Sequence, residues 1–200
     1  MKRLLVLMMM MVLALGLIGC GGDSSPDASQ DSSGAPGSEA SQVEFVPMTF
    51  GYISMDVPAV FSQSSEENGM YKSSGPNAAI VVSPLVVDMQ PSEWTEELVV
   101  NSLESIYGEL YSDLKLEAFE GDVNMNGNPA VYYAFNGATL TDGDERLAHV
   151  LLVYNADLTA VYAIELNHGA TDAFFSKEVN SQIINSVALA EEAQHLAYGE

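Results

Sequence analysis

Four strand-length runs joined by very short links constrain this chain more than any other feature. Residues 116–125, 129–140, 146–154 and 159–166 are rich in aliphatic, aromatic and β-branched side chains, and the links between them read NGN, TDGDE and NADL. A crossover to a parallel neighbour needs about a dozen residues or more, so links this short make consecutive runs pair antiparallel.

Upstream the period changes. From Pro91 to Leu114, the residues Val99, Leu103, Ile106, Leu110 and Leu114 recur at spacings of three and four, and Trp94, Leu98, Tyr107 and Tyr111 widen the stripe. That pattern predicts one amphipathic helix with Ser92 as its N-cap and Glu93, Glu96 and Glu97 near the positive end of its dipole. Before it, 48–57 reads as a strand with an irregularity at Gly51, and 78–87 as a buried strand. After the meander, Thr171 can cap a second helix with Phe175, Val179, Ile183 and Val187 inward. The fold class expected is α+β, an antiparallel sheet of about six strands covered by helices.

The N-terminal end is of another kind. Lys2 and Arg3 precede an apolar run of 15 residues, 4–18, too short for the roughly 20 that span a bilayer. This is the pattern of a secretory signal. Its end, Leu17-Ile18-Gly19-Cys20, resembles the bacterial lipobox. The resemblance implies cleavage between Gly19 and Cys20 and acylation of Cys20, which would hold the protein to a cell membrane on its extracytoplasmic face. Two or more acyl chains anchor stably where one does not. Cys20 is the only cysteine, so no intrachain disulfide is possible. Residues 21–42 are Ser, Gly, Ala, Pro, Gln and acids, a composition that favours a disordered tether spanning roughly 25 Å. The organisation expected is therefore signal peptide 1–19, lipidated cysteine and linker 20–43, folded domain 44–189 and C-terminal tail 190–200, the tail being prone to fray.

Charge narrows the partners. The chain has 28 acidic residues against six basic ones, a net charge of −22. Removing Lys2 and Arg3 with the signal takes the mature chain to −24. Such a field repels phosphate-rich surfaces and excludes nucleic acid as a partner.

Three patterns invite a chemical reading. Asp122-Val-Asn124-Met-Asn126-Gly127 opens like an EF-hand calcium loop, but Tyr133 stands where the bidentate glutamate belongs, and strands flank it. Asn126-Gly127 instead suits a type I′ hairpin turn. Asp142, Asp144 and Glu145 form a second acidic turn, the one candidate for a divalent cation, against the alternative of a solvated loop. Glu165/His168 and Glu192/His195 repeat the Glu-x-x-His spacing of di-iron bundles without the paired helices that chemistry needs. His149 shares a strand face with Leu147, Leu151 and Val153 and reads as a partly buried, satisfied residue. Tyr107, Tyr111, Tyr132 and Tyr133 can line a pocket or simply form core. No nucleophile elbow, phosphate loop or catalytic cysteine is present, and no cofactor is implied.

The order of elements, with MDVP (55–58), PSEW (91–94), NGNPAVYYAF (126–135) and FFSKEVNSQIINSV (174–187), resembles the PsbP-like fold over about 45–189. Bacterial lipoproteins and a eukaryotic nuclear-import factor that binds the Ran GTPase share that architecture. Its members have no common catalytic set, so the resemblance implies a fold and no reaction. The expected function is a membrane-anchored, non-catalytic accessory or binding module. Its partners are the bilayer and an envelope protein or small ligand, the alternative being a sensor or carrier of a small ligand or divalent cation.

Overall fold

A computed structural model describes residues 43–85 and 88–196. The signal peptide, Gly19, Cys20 and the tether lie outside these residues. The described residues contain ten strands and two α-helices: β1 (Phe45–Phe50), β2 (Ile53–Pro58), β3 (Ser65–Glu67), β4 (Met70–Gly75), β5 (Ala78–Leu85), α1 (Glu96–Tyr107), β6 (Tyr111–Met125), β7 (Asn128–Thr139), β8 (Glu145–Tyr154), β9 (Val161–Gly169), α2 (Lys177–Asn185) and β10 (Ala188–Leu189). A seven-stranded sheet runs in the order β3-β4-β5-β9-β8-β7-β6, and a three-stranded sheet in the order β1-β2-β10. Every pairing is antiparallel. The segment carrying α1 leads from β5 to the far edge of the large sheet. The meander β6 to β9 then returns strand by strand until β9 pairs with β5.

Alternation in the strands divides the interior in two. On one face Val81, Val131, Tyr133, Val150 and Leu152 pack against Val99, Leu103 and Tyr107 of α1. On the other, Ile80, Val82, Leu151, Val153, Ile164 and Leu166 meet Phe50, Ile53, Met55 and Val57 of the small sheet and Val179 and Ile183 of α2. β9 lies between these layers and is buried at every residue. Each such large aliphatic side chain contributes about 1.5–3 kcal/mol by leaving water.

The meander is as the links require, but about six strands was too few. The stretch 48–57 is a hairpin of two strands, because Gly51 takes φ +60° and reverses the chain between Phe50 and Ile53. Gly51 also lies against the Tyr71 ring, where a Cβ would approach to 2.7 Å.

Helix ends differ too. The cap of α1 is Thr95, whose hydroxyl accepts from Leu98 N, while Ser92 lies in a preceding 3₁₀ turn, Pro91–Glu93. Between them Trp94 is extended, which lets its indole enter the core and donate to the Tyr154 hydroxyl at 2.8 Å. Leu110 and Leu114 are not on the helix, since β6 starts at Tyr111. A spacing of four fits one helical turn and two strand pleats alike. α2 is capped by Ser176 rather than Thr171, the intervening turn being closed by Asp172. The segment expected to fray is held as far as Leu196. Asn155 donates to the Leu196 carbonyl at 3.0 Å, and Asn128 and Gln194 pair through their amides at 2.7 and 3.1 Å.

The stretch resembling a calcium loop is a hairpin turn. Asn126 and Gly127 take φ +52° and +95°, and Asn124 Oδ1 accepts from Gly127 N at 2.9 Å. Nothing lies within 4 Å of a Cβ built on Gly127. Gly127→Ala therefore tests backbone strain alone and should lower the unfolding free energy by about 1–2 kcal/mol in a denaturant titration, with the slope unchanged.

Candidate functional site

Across β7, β8 and β9 the residues Tyr132, His149 and His168 lie on one face of the large sheet, each diagonal to the next. Cross-strand diagonals are within reach of aromatic side chains. Tyr132 stacks on His149 with ring centroids 6.1 Å apart, His149 on His168 at 5.6 Å, and His168 on Phe175 at 4.6 Å. Phe175 lies just before α2. The direct neighbours of His149 on the edge side are small, Ala134 on β7 and then Ala118 on β6. A groove of about 530 Å³ opens here, between the C-terminal two-thirds of β6 with the neighbouring parts of β7 and β8 and one side of α2. Tyr132, Ala134, His149, Leu151 and Phe175 form its inner wall, and Ser181, Ile184 and Asn185 its helix side. Glu117, Glu120 and Lys177 also line it and are exposed to solvent, Glu120 lying directly across from Tyr132 on the same face of the sheet.

One side chain organises the polar part. Asn180 is buried on the inner face of α2, and its Nδ2 approaches the Phe175 carbonyl at 3.2 Å, His168 Nε2 at 3.2 Å and His149 Nε2 at 3.1 Å. The carbonyl can only accept, which fixes the amide with its nitrogen toward all three. The amide nitrogen has two hydrogens to share among these three acceptors and itself accepts nothing, so neither imidazole carries its proton on Nε2 and both carry it on Nδ1. His168 Nδ1–H donates to the Gly169 carbonyl at 2.9 Å and His149 Nδ1–H to the Tyr132 hydroxyl at 2.7 Å. Asn180 Oδ1 is left buried with no partner among the described residues.

Burial, with the neighbouring His168 adding to it, lowers His149 to about 4, and burial lowers His168 as well. Burial, reinforced by the Glu120 carboxylate, raises Tyr132 above its ordinary value. At neutral pH the imidazoles are uncharged and the phenol keeps its proton. The arrangement places a protonated phenol, held by a neutral imidazole pair, at the groove wall.

The opposite face of the sheet holds a second polar cluster. Glu165 on β9 is fully buried, with one carboxylate oxygen 3.4 Å from the Tyr107 hydroxyl and the other unpartnered. Asn167 donates to the Tyr111 hydroxyl at 2.7 Å and accepts from Arg146 Nε at 2.8 Å, while Arg146 also donates to Asn77. Burial raises Glu165 to about 7, against the lowering effect of hydrogen bonds from Asn167 and Tyr107. Tyr107 of α1 covers Glu165, and none of these residues lines the groove.

The residues singled out in the sequence are dispersed. Asp142 lies in the β7–β8 turn, where its Oδ1 already accepts from the Thr139 hydroxyl and from Asp144 N. Asp144 and Glu145 are exposed beside it, and no three metal-ligating side chains gather among the described residues. His195 meets the Asp157 carboxylate at the surface at 2.7 Å. Glu165 and His168 project to opposite faces, so their spacing builds nothing. Of the four tyrosines, Tyr107, Tyr111 and Tyr133 are core and only Tyr132 reaches the groove. Sequence reasoning missed Asn180, and it met Glu165 only through its spacing from His168, not as a buried carboxyl. The available signal was a polar residue at an inward position, Asn180 in the stripe Val179–Ile183 and Glu165 within an apolar strand.

No protein-family model and no curated protein matches the chain. Solved structures do. The Ran-binding protein Mog1p of Saccharomyces cerevisiae superposes with a TM-score of 0.53 at 11% identity, covering 76% of this chain and 99% of that one. A protein of unknown function from Pseudomonas aeruginosa gives 0.41 at 18% identity, covering 78% and 98%. LpqN, involved in cell envelope biogenesis of Mycobacterium tuberculosis, gives 0.44 at 16% identity, covering 74% and 92%. The domain thus has the Mog1-type, PsbP-like fold, and at these identities the likeness is one of fold.

The two clusters respond to pH in opposite senses. His149, depressed from 6.5 to about 4, removes stability as pH falls from 6.5 to 4, because the unfolded chain takes the proton first. Glu165, raised from 4.5 to about 7, adds stability as pH falls from 7 to 4.5, because the folded chain takes it first. Each is worth up to about 3 kcal/mol. Glu165→Gln should therefore be more stable than the unaltered protein above pH 7, and the difference should close by pH 4.5. Urea titrations of both proteins across that range measure it.

Proposed function

We propose that this chain is a non-catalytic binding module, lipid-anchored at Cys20 on the extracytoplasmic face of a cell membrane, which takes a small ligand in the groove between α2 and strands β6–β8. The anchor rests on the lipobox-like sequence and the tether that follows it. No described helix is long and apolar enough to cross a membrane. The observation that carries the binding role is the groove itself. It has the size of small-molecule sites, mainly apolar walls and a few convergent polar groups fixed from behind. The neutral His149 and protonated Tyr132 favour binding over catalysis. A cation at the acidic turn is less well supported, because the Asp142 carboxylate is already committed to Thr139 and Asp144.

Two measurements test this reading. Mass spectrometry of the protein extracted from membranes should find Cys20 acylated and N-terminal, and Cys20→Ser should move the protein to the soluble fraction. An intact residue 1–19 or an unmodified sulfur defeats the anchor. Native mass spectrometry of the same material should show a bound species on the order of a few hundred daltons. Ala134→Leu or Ala118→Trp, which fill the groove, should lose it. An adduct retained by both variants defeats the groove.

A further inference from the structure

The groove is chemically selective, and its own residues specify the kind of molecule it takes. We propose that it binds an uncharged, flat, largely apolar molecule carrying one carbonyl-type hydrogen-bond acceptor, which the Tyr132 hydroxyl meets. This rests on the reading of the groove as the ligand site.

Three observations converge. The first is the direction of the Tyr132 hydrogen bond. The Phe175 carbonyl fixes the Asn180 amide, the amide fixes His149 with its proton on Nδ1, and that proton is donated to the Tyr132 oxygen. The phenol oxygen is thus used as an acceptor, and its own hydrogen has no acceptor among the described residues. A half-buried phenol with a free O–H at a groove wall discriminates for ligands that accept. A ligand offering only donors would leave that hydrogen unmatched.

The second is charge. His149 and His168 are neutral for the reason just given, so the floor has no cation to hold an anion. At the rim Glu117 is already paired with Lys115 at 2.7 Å, and Glu120 and Lys177 carry one opposite charge each. The rim is therefore locally balanced, and the net charge of −22 on the chain further opposes an anion. The one fully buried carboxylate among the described residues, Glu165, projects to the other face of the sheet and offers a cation nothing here. Neither sign of ligand charge finds a dedicated counter-charge here.

The third is shape. The rings of Phe175, His168, His149 and Tyr132 form one continuous stack that ends on Tyr132 at the groove. Ala134 and Ala118 keep the adjacent floor open where larger side chains would close it. A planar ring continues such a stack with the offset geometry aromatic pairs prefer, at a gain of about 0.5–1.5 kcal/mol beyond its area. Val123, Met125 and Ile184 supply apolar contact for the rest.

A set of related naphthalene dyes tests this with the full mature chain bearing Cys20→Ser, so that no detergent is needed. Prodan, an uncharged naphthalene ketone, should bind saturably with one site and a blue-shifted emission. Anilinonaphthalene sulfonate, flat but anionic, should bind at least tenfold more weakly. Tyr132→Phe should weaken prodan roughly fivefold, the worth of one neutral hydrogen bond. The same variant should leave the ketone-free dimethylaminonaphthalene unchanged, a contrast that a merely structural role for Tyr132 would not produce. Ala134→Leu and Ala118→Trp should abolish prodan binding while circular dichroism stays that of the folded protein. If the sulfonate binds as well as prodan and both are lost on filling the groove, the groove is a ligand site but the class inferred here is wrong. If Tyr132→Phe weakens both uncharged dyes equally, the donor role falls. If no dye responds to groove filling, this inference and the groove reading fall together.

Discussion

The complete burial of β9 is the constraint on which the rest depends. Covered by α1 on one side and by α2 with the small sheet on the other, this strand exposes no side chain beyond a few per cent, yet it includes Glu165, Asn167 and His168. A buried polar group without a partner costs about 1–3 kcal/mol, so each takes partners from the layer it faces or from the sheet itself. Glu165 takes the Tyr107 hydroxyl, Asn167 takes Tyr111 and Arg146, and His168 takes the Gly169 carbonyl and Asn180. These demands tie both helices' layers to the same strand. They also set two separate polar centres, one sealed and one bordering a groove, within a single sheet thickness.

That difference between the centres has a geometric origin. α1 lies over its face so that Tyr107 covers Glu165 directly. α2 is shorter and reaches across β8 and β9 without extending over β6, where Ala118 and Ala134 leave room. Polar groups of similar kind therefore end in opposite circumstances. A carboxyl is shut in with tyrosines, and an imidazole pair holds a phenol at a wall that a ligand can touch.

Much of the fold was legible in the sequence, and the part that was not has a physical reason. The meander followed from link length, because turns of three to five residues leave no other pairing. The turn at Asn126-Gly127 was legible because few residues tolerate positive φ. The hairpin at Gly51 was hidden because a reversing glycine and a bulging glycine look alike in an alternating run. Leu110 and Leu114 misled because a spacing of four belongs to both periods. The candidate site was legible only in fragments. His149 could be placed on its face by alternation, and Tyr132 was one aromatic among four. Asn180 could not be joined to them, since the contact spans 31 residues and depends on where α2 settles. What the acidic turn at Asp142 presented as a cluster is a loop that satisfies its own carboxylate.

The small sheet has a consequence for how the chain matures. Its middle strand β2 is completed by β10, and Asp56 N donates to the Ser186 hydroxyl at 2.8 Å, a contact 130 residues away in sequence. A polypeptide emerging residue by residue can form the β1–β2 hairpin early, but must leave one of its edges unpaired until nearly the whole domain has followed. The apolar inner faces of Ile53, Met55 and Val57 are covered by the large sheet and α2, so that edge closes only after those elements have formed. Completing this three-strand layer thus requires the two ends of the domain to meet, the kind of distant pairing that slows folding.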